Sequence, residues 1–194
     1  ASSDQEAVFE NTMKAVEKAY REAPQTEALE QQSPGIIAKM VKAMRPAMRA
    51  VNQRIQRQYR PELIAVYKRH LTPSEARDLA DFYNGPLGKR LARQASAGYS
   101  PDAALADLKP DSALTQRQID ADLNNAMSAA VQDMSEADRQ KIIEAIARTP
   151  ALRKLQPVFD ETRVVRLRME NEQPTPQEEF LITSAINRVL RDNL

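Results

Sequence analysis

Few side chains in this sequence could do acid–base, nucleophilic or metal chemistry. His70 is the only histidine, and the chain has no cysteine and four glycines. Thiolates, histidine clusters and glycine-rich loops are the usual signatures of zinc sites, thiol nucleophiles and phosphate sites. Most enzyme motifs are therefore excluded, and we expect no cofactor and no metal ion.

His70 and neighbouring acids, such as three pairs in the second half of the chain, are what remains for a hydrolase. A general base needs a nucleophile and an orienting acid beside it, and no spacing in the sequence supplies either for His70. The acid pairs suit acid–base or hard-metal chemistry, although solvated helix faces also account for them. These pairs are Asp120/Asp122, Glu170/Glu172 and Glu178/Glu179. A hydrolase of unknown substrate is an alternative that a pocket holding His70 and two carboxylates would favour.

The elements that must position these residues are helices. Apolar residues recur at spacings of three and four, and no alternating run is long enough for a strand. Thr72 and Thr175 each precede a proline and have a glutamate three residues further on, which predicts capping boxes. Ser-Pro and Thr-Pro pairs at 33–34, 100–101 and 149–150 predict further helix starts. The sequence therefore predicts an all-α protein.

Prolines and glycines divide the pattern into segments. Glycine ends helices in a left-handed conformation and proline cannot continue them, so 84–86 and 98–101 are the clearest breaks. Neither break is long enough for an interdomain linker, and we expect 1–194 to form a single bundle-like domain. The predicted helices lie at 4–22, 34–59, 61–70, 73–84, 86–97, 101–108, 112–132, 136–148, 150–171 and 176–192.

An internal repeat emerges when the caps are aligned, with 71–91 lying over 134–155. Both copies have a hydroxyl cap, an acid at the third helical position, an apolar helix, a break, a proline, two basic residues and a leucine. Caps and helix-start prolines also recur for physical reasons alone, so duplication and independent recurrence both stay open. Two similar helix–break–helix units are expected to pack together.

One stretch is more specific than the rest, namely Phe82-Tyr83-Asn84-Gly85-Pro86-Leu87-Gly88-Lys89. With the aromatic residue, basic pair and Thr-x-x-Glu start that precede it, segment 61–91 resembles the bacterial family called domain of unknown function 2059. Gly85 stands where that family more often has serine. The resemblance implies a secreted or periplasmic all-helical domain, with no catalytic residue and no cofactor to carry over.

The beginning of the chain fits that location. Ala1-Ser2-Ser3 suits a mature product cut after a small-residue signal-peptide site, and a trimmed expression product would look the same. The longest stretch free of charged residues, 123–132, has ten residues, whereas a membrane-spanning helix needs about 20 apolar ones. We expect a periplasmic or secreted protein without a transmembrane segment.

The 61–91 segment also has a structural explanation. Phe82 and Tyr83 fall on one apolar helix face, where they would be buried. The break at 84–86 would let the next helix turn back, and Gly88 would allow a close approach to a neighbouring helix. A helix corner thus explains the motif without a ligand. The alternative is a shallow binding groove lined by Tyr67, Phe82 and Tyr83.

The charge is unevenly distributed, although the formal net charge is +1. Segment 35–70 carries +8, whereas 1–34 carries −4 and 101–140 carries −5. On a helical wheel, the apolar residues of this basic stretch occupy about 120° and the cations lie opposite. Pro46 lies in the middle of the basic side, where a kink would bend the helix convex toward solvent. The candidate binding residues on that side are Lys42, Arg45 and Arg49.

Three interpretations of the basic helix 35–60 compete. It is a core helix with a solvated face, a helix that binds a partner groove, or a helix lying on an anionic membrane surface. Its apolar face lacks Trp and Phe, which weakens the membrane interpretation. Pairing with acidic segments at 4–30 or 101–138 would satisfy its charge internally and favours a core helix. No recognition motif or interleaved aromatic pattern points to nucleic acid.

The sequence therefore predicts a periplasmic, non-catalytic helical protein that acts as an interaction or structural module. Another protein is its expected partner. The aromatic groove and the basic helix are the candidate contact surfaces. Binding to a membrane surface is the less favoured alternative, and the oligomeric state is left open.

Overall fold

The computed structural model describes residues 4–106 and 113–194, which are helical and contain no strand. This confirms the predicted all-α class. The predicted helix ends at 107–108 and 112, and the Ala1 start, lie outside these residues. The helices are α1 (Gln5–Glu22), α2 (Pro24–Gln32), α3 (Ile36–His70), α4 (Pro73–Asn84), α5 (Pro86–Gly98), α6 (Asp102–Ala106), α7 (Gln116–Gln132), α8 (Glu136–Arg148), α9 (Pro150–Arg153), α10 (Leu155–Glu170) and α11 (Pro176–Asn193).

The predicted break before Pro61 is wrong, because α3 runs for 35 residues with Pro46 and Pro61 inside it. Each proline lacks the N–H that would bond the carbonyl four residues earlier, at Lys42 and Arg57. Both prolines and both of these residues are exposed, so water can bond the two freed carbonyls. The solvent-facing placement predicted for Pro46 is confirmed.

The start of α3 also differs from the prediction, in which Ser33 caps the helix. The helix begins at Ile36 after Gly35, whose φ of 84° is left-handed and favours glycine. Its first N–H groups are capped from α2, because Glu30 accepts hydrogen bonds from the N–H of Gly35 at 2.8 Å and of Ile37 at 3.2 Å. These bonds to the carboxylate lower the pKa of Glu30. A tertiary cap therefore replaces the local serine cap.

The C-terminal half of α3 pairs with α10. Arg69 forms an ion pair with Glu161, and Arg168 forms one with Glu62. The two contacts lie seven residues apart on each helix and in opposite order along the chain, so the helices run antiparallel.

The N-terminal half of α3 pairs with α11, and these two helices also run antiparallel. Arg54 forms an ion pair with Glu178 at 2.9 Å, and Lys39 donates to Asn193 Oδ1. These contacts are 15 residues apart on both helices. Because α10 and α11 follow one another, they return together along the whole length of α3.

Two clusters of buried apolar side chains lie along α3, one on each half. The N-terminal core joins α3 to α1, with one edge covered by α11, and consists of Phe9, Met13, Ile36, Ile37, Met40, Val41 and Met44. The C-terminal core joins α3 to α4, α9 and α10, and includes Tyr59, Val66, Leu71, Leu79, Ala151, Leu155, Val158 and Val165. The apolar stripe of α3 thus serves both cores.

Arg54 holds the joint between α10 and α11 against the middle of α3. It forms ion pairs with Glu178 at 2.9 Å and Glu172 at 3.6 Å, and it donates to the carbonyl of Gln173 at 3.0 Å. The Tyr59 hydroxyl donates to Glu172 at 2.6 Å. The hydrogen bond from Arg54 lowers the pKa of Glu178, and the one from Tyr59 lowers the pKa of Glu172.

The remaining helices pack beside this frame, with α5 on α7, α4 on α5 and α9, and α8 on α9. A Cβ at Gly98, the last residue of α5, would lie 3.0 Å from Ala129 Cβ of α7, so the two helices approach closely.

Helix α2 was not predicted. The predicted helix 150–171 is interrupted at Lys154, whose ψ of 2° is not helical.

The predicted repeat and the single domain both stay predictions. Thr72 and Ser135 cap α4 and α8 in the same way, each accepting a hydrogen bond from the N–H three residues on. The helices after the two breaks differ, because α5 has 13 residues and α9 has four.

The Arg54 network yields a stability prediction. Arg54→Met removes the ion pairs and leaves the carboxylate of Glu178, which is mostly buried, without its guanidinium partner. We expect the melting temperature to fall by a few degrees. Arg57→Met is the matched control, because Arg57 is exposed and has no ion-pair partner within the described ranges. Circular dichroism melts of the two variants check this, and equal melting temperatures would contradict it.

Candidate binding surfaces

The start of α4 is held by the predicted capping box. The Thr72 hydroxyl accepts a hydrogen bond from the N–H of Glu75 at 3.3 Å, and the Glu75 carboxylate accepts one from the N–H of Thr72 at 2.9 Å. Lys154 forms an ion pair with the same carboxylate. Lys154 first, and then the Thr72 N–H, lower the pKa of Glu75 to about 2. This carboxylate therefore ties α4 to the turn after α9.

The helix corner at 84–88 depends on one glycine. A Cβ at Gly88 would lie 2.2 Å from the carbonyl oxygen of Phe82 and 2.6 Å from Tyr83 Cα. Only glycine lets α5 pass this close to the last turn of α4, which confirms the predicted close approach. Gly85 is different, because its φ is −73°. The left-handed end predicted for α4 is therefore wrong, and the backbone conformation at Gly85 is one that residues other than glycine adopt.

The aromatic residues of the predicted groove lie beside this corner. The rings of Phe82 and Tyr83 meet edge to face, with centroids 5.2 Å apart. Tyr83 packs against the C-terminal core, and burial raises its pKa, with a further electrostatic contribution from Tyr67. Two surface depressions lie on α11 and α1, and neither is lined by these three residues.

Two of the three predicted basic residues are used within the fold. Arg45 forms an ion pair with Glu10. Arg49 forms one with Glu6, and its guanidinium lies 4.5 Å from the centroid of the Phe9 ring. Both contacts are with α1, as the core-helix interpretation predicts. Lys42, the third residue, is exposed, with no ion-pair partner among the residues described.

Further along α3 lie exposed residues, of which the sequence predicts Tyr67 alone as a candidate for binding. Arg57, Arg60 and Lys68 are exposed, and the described part of the chain offers none of them an ion pair. Ile64 and Tyr67 lie between them and are 43% and 40% exposed. At about 100° per residue, all five fall within an arc of about 100° that contains no acid. This acid-free arc of the helical wheel is the sequence feature from which the surface could have been predicted.

His70 lies at the end of α3. Its Nε2 is 2.8 Å from Oε1 of Glu161, whose carboxylate also bonds Arg69. Arg69 first, and then His70, lower the pKa of Glu161. The geometry thus gives His70 one carboxylate neighbour, whereas the hydrolase alternative requires two in a pocket. Neither surface depression includes His70.

Five of the six acids in the predicted pairs take structural roles. Asp122 is buried and accepts hydrogen bonds from the N–H groups of Ala103 and Ala104, which caps α6. Asp120 lies 3.5 Å from Arg163, and Glu170 lies 3.3 Å from Arg166. Glu172 and Glu178 belong to the Arg54 network, and Glu179 is exposed. In residues 4–106 and 113–194, no three acidic or histidine side chains converge on a metal site.

Comparison with known protein families finds a match for one part of the chain. Residues 57–98 match the DUF2059 family. The family is described as an uncharacterized protein conserved in bacteria. The match confirms the resemblance found at 61–91, and it runs from the second half of α3 through α4 and α5. No curated protein and no solved structure matches the chain. Among the described helices, none is long and apolar enough to cross a membrane.

The corner yields a second stability prediction. Gly88→Ala places a methyl group against the backbone of Phe82 and Tyr83, and we expect it to lower the free energy of unfolding by about 3 kcal/mol. Gly85→Ala is the control, because its Cβ would lie 3.2 Å from the nearest atom. We expect that change to alter stability by less than about 1 kcal/mol. Urea unfolding followed by circular dichroism measures both, and equal values would rule out the close approach.

Proposed function

We propose that this protein is a non-catalytic, helical protein-interaction module of the bacterial periplasm. Its proposed contact surface is the outer face of α3 around Ile64 and Tyr67. The observation that carries the proposal is the exposure of these two large side chains, 43% and 40%, one turn apart in the segment that matches the family.

The fold explains the other distinctive residues of that segment. Gly88 permits the helix corner, Tyr83 packs on the C-terminal core, and Phe82 packs on Tyr83. Neither Ile64 nor Tyr67 belongs to a core cluster. Aromatic and arginine side chains are enriched where proteins bind one another, and a few such residues carry most of the binding energy. Tyr67, with Arg60 nearby, has this composition.

The periplasmic location is supported by the family resemblance, which implies a secreted or periplasmic domain. The non-catalytic role is supported by the surroundings of His70, which pairs with one carboxylate, Glu161, in the part of the chain that the structure describes, and by the ion pairs of Glu172 and Glu178. The location is tested together with the surface.

The test compares two matched pairs of substitutions. Ile64→Ser with Tyr67→Ser alters the proposed surface. Ile143→Ser with Ile146→Ser alters two exposed isoleucines on α8, also three residues apart. We expect immunoblots of fractionated cells to find the native protein in the periplasm. In pull-downs from periplasmic extract, the first pair should reduce co-purifying protein about tenfold or more, because core interface residues contribute strongly. The α8 pair should leave it unchanged.

Circular dichroism establishes that both pairs fold. If the folded Ile64/Tyr67 variant retains every co-purifying protein, the surface around these residues is not the contact site. A protein found only in the cytoplasmic fraction would contradict the proposed location.

A further inference from the structure

The solvent-facing side of α3 between Lys42 and Lys68 forms a single line, which we call the outer stripe. It is about 39 Å long at 1.5 Å per residue and occupies about 120° of the helix circumference. Its cations are Lys42, Arg57, Arg60 and Lys68, all of them exposed. Ile64 and Tyr67 lie on the stripe near its C-terminal end.

The cations on and off the outer stripe behave differently. In the structure as described, none of the four on the stripe has an ion-pair partner. Arg45, Arg54 and Arg69 lie off the stripe, Arg49 lies on its edge at the angle of Tyr67, and each of these four is paired with a glutamate. Glu62, the only acid in 35–70, lies about 140° around the helix from Arg57 and is paired with Arg168. The stripe therefore carries unneutralised positive charge.

Carboxylates border the outer stripe on both sides. Arg49 lies about 60° to one side of the stripe axis and Arg54 about 80° to the other. Arg49 binds Glu6 of α1, and Arg54 binds Glu178 of α11. The line of unpaired positive charge is thus about one helix wide and lies between ion pairs on both sides.

This charge pattern selects the shape of the partner. A broad anionic surface, such as a lipid bilayer, would bring most of its phosphates against these neighbouring ion pairs, which offer no free cation. An α-helix is about 10 Å wide and can lie along the stripe alone. Acids at spacings of three and four on such a helix would face cations at 57, 60 and 68, and apolar residues between them would contact Ile64 and Tyr67.

We propose that the outer stripe of α3 is a docking site for an acidic, amphipathic α-helix of a partner protein. This inference rests on the proposed function and names the chemistry of the partner. Because the exposed charges act through solvent, the attraction weakens as the salt concentration rises.

The test uses a synthetic peptide as the probe. The peptide is a fluorescent helix of about 24 residues, with glutamates along one face, two leucines among them, and alanine and glutamine elsewhere. A scrambled peptide of the same composition distributes the glutamates around the helix. Fluorescence anisotropy measures both dissociation constants, and we expect the amphipathic peptide to bind about tenfold more tightly than the scrambled one.

Two triple variants of the protein locate the binding. Arg57→Gln, Arg60→Gln and Lys68→Gln together should weaken binding of the amphipathic peptide about tenfold. The control carries Arg117→Gln, Arg148→Gln and Arg188→Gln. These three cations are exposed and lie off the stripe, so their removal should change the dissociation constant by less than about twofold. Glutamine keeps the helix propensity close to that of arginine and lysine.

Four outcomes would overturn the inference. Equal binding of the two peptides, or equal weakening by the two triple variants, would show general attraction between opposite charges. Co-sedimentation with phosphatidylglycerol vesicles that requires Arg57, Arg60 and Lys68 would make the stripe a membrane-binding surface. If the peptide fails to bind while pull-downs still depend on Ile64 and Tyr67, the proposed function stands and the acidic helix does not.

Discussion

The antiparallel pairing of α3 with α10 and α11 is the constraint on which the rest of the structure depends. A helix of 35 residues with two internal prolines loses two backbone hydrogen bonds, so its continuity must come from tertiary packing. The two cores supply that packing on the inner side of each half. Arg54 adds a fixed point in the middle, where α10 gives way to α11.

The same pairing determines which charges reach solvent. Glutamates of α1, α10 and α11 approach α3 from two sides and bind Arg49, Arg54 and Arg69. The cations that point away from all three helices stay unpaired and form the outer stripe. A segment carrying +8 is therefore partly a core helix and partly a charged surface, and the interaction proposed for this protein follows from the second part.

Local features of the fold could be predicted from the sequence, and tertiary ones could not. The capping boxes at Thr72 and Thr175 are confirmed because their partners lie three residues away. The close approach at Gly88 is confirmed because the corner is local. By contrast, Glu30 displaced the expected Ser33 cap through a contact from another helix. The continuation of α3 through Pro61 depends on packing against α10, which no local pattern reveals.

In the candidate site, too, local features could be predicted from the sequence and tertiary contacts could not. The sequence placed Arg45 and Arg49 on a basic helix face. It could not show that they form ion pairs with Glu10 and Glu6 of α1. Exposure of Ile64 and Tyr67 likewise depends on where α4 and α10 lie. The helical wheel did contain the outer stripe, because Arg57, Arg60 and Lys68 share an arc without acids.

The continuity of α3 is the central claim, and a distance across Pro46 and Pro61 tests it most directly. The chain has no cysteine, so Lys42→Cys with Lys68→Cys provides two unique sites for spin labels. Double electron–electron resonance should show one narrow distribution close to about 39 Å, the length of 26 residues of unbroken helix. A broad distribution, or one centred below about 30 Å, would mean that α3 turns at a proline, and would contradict the account.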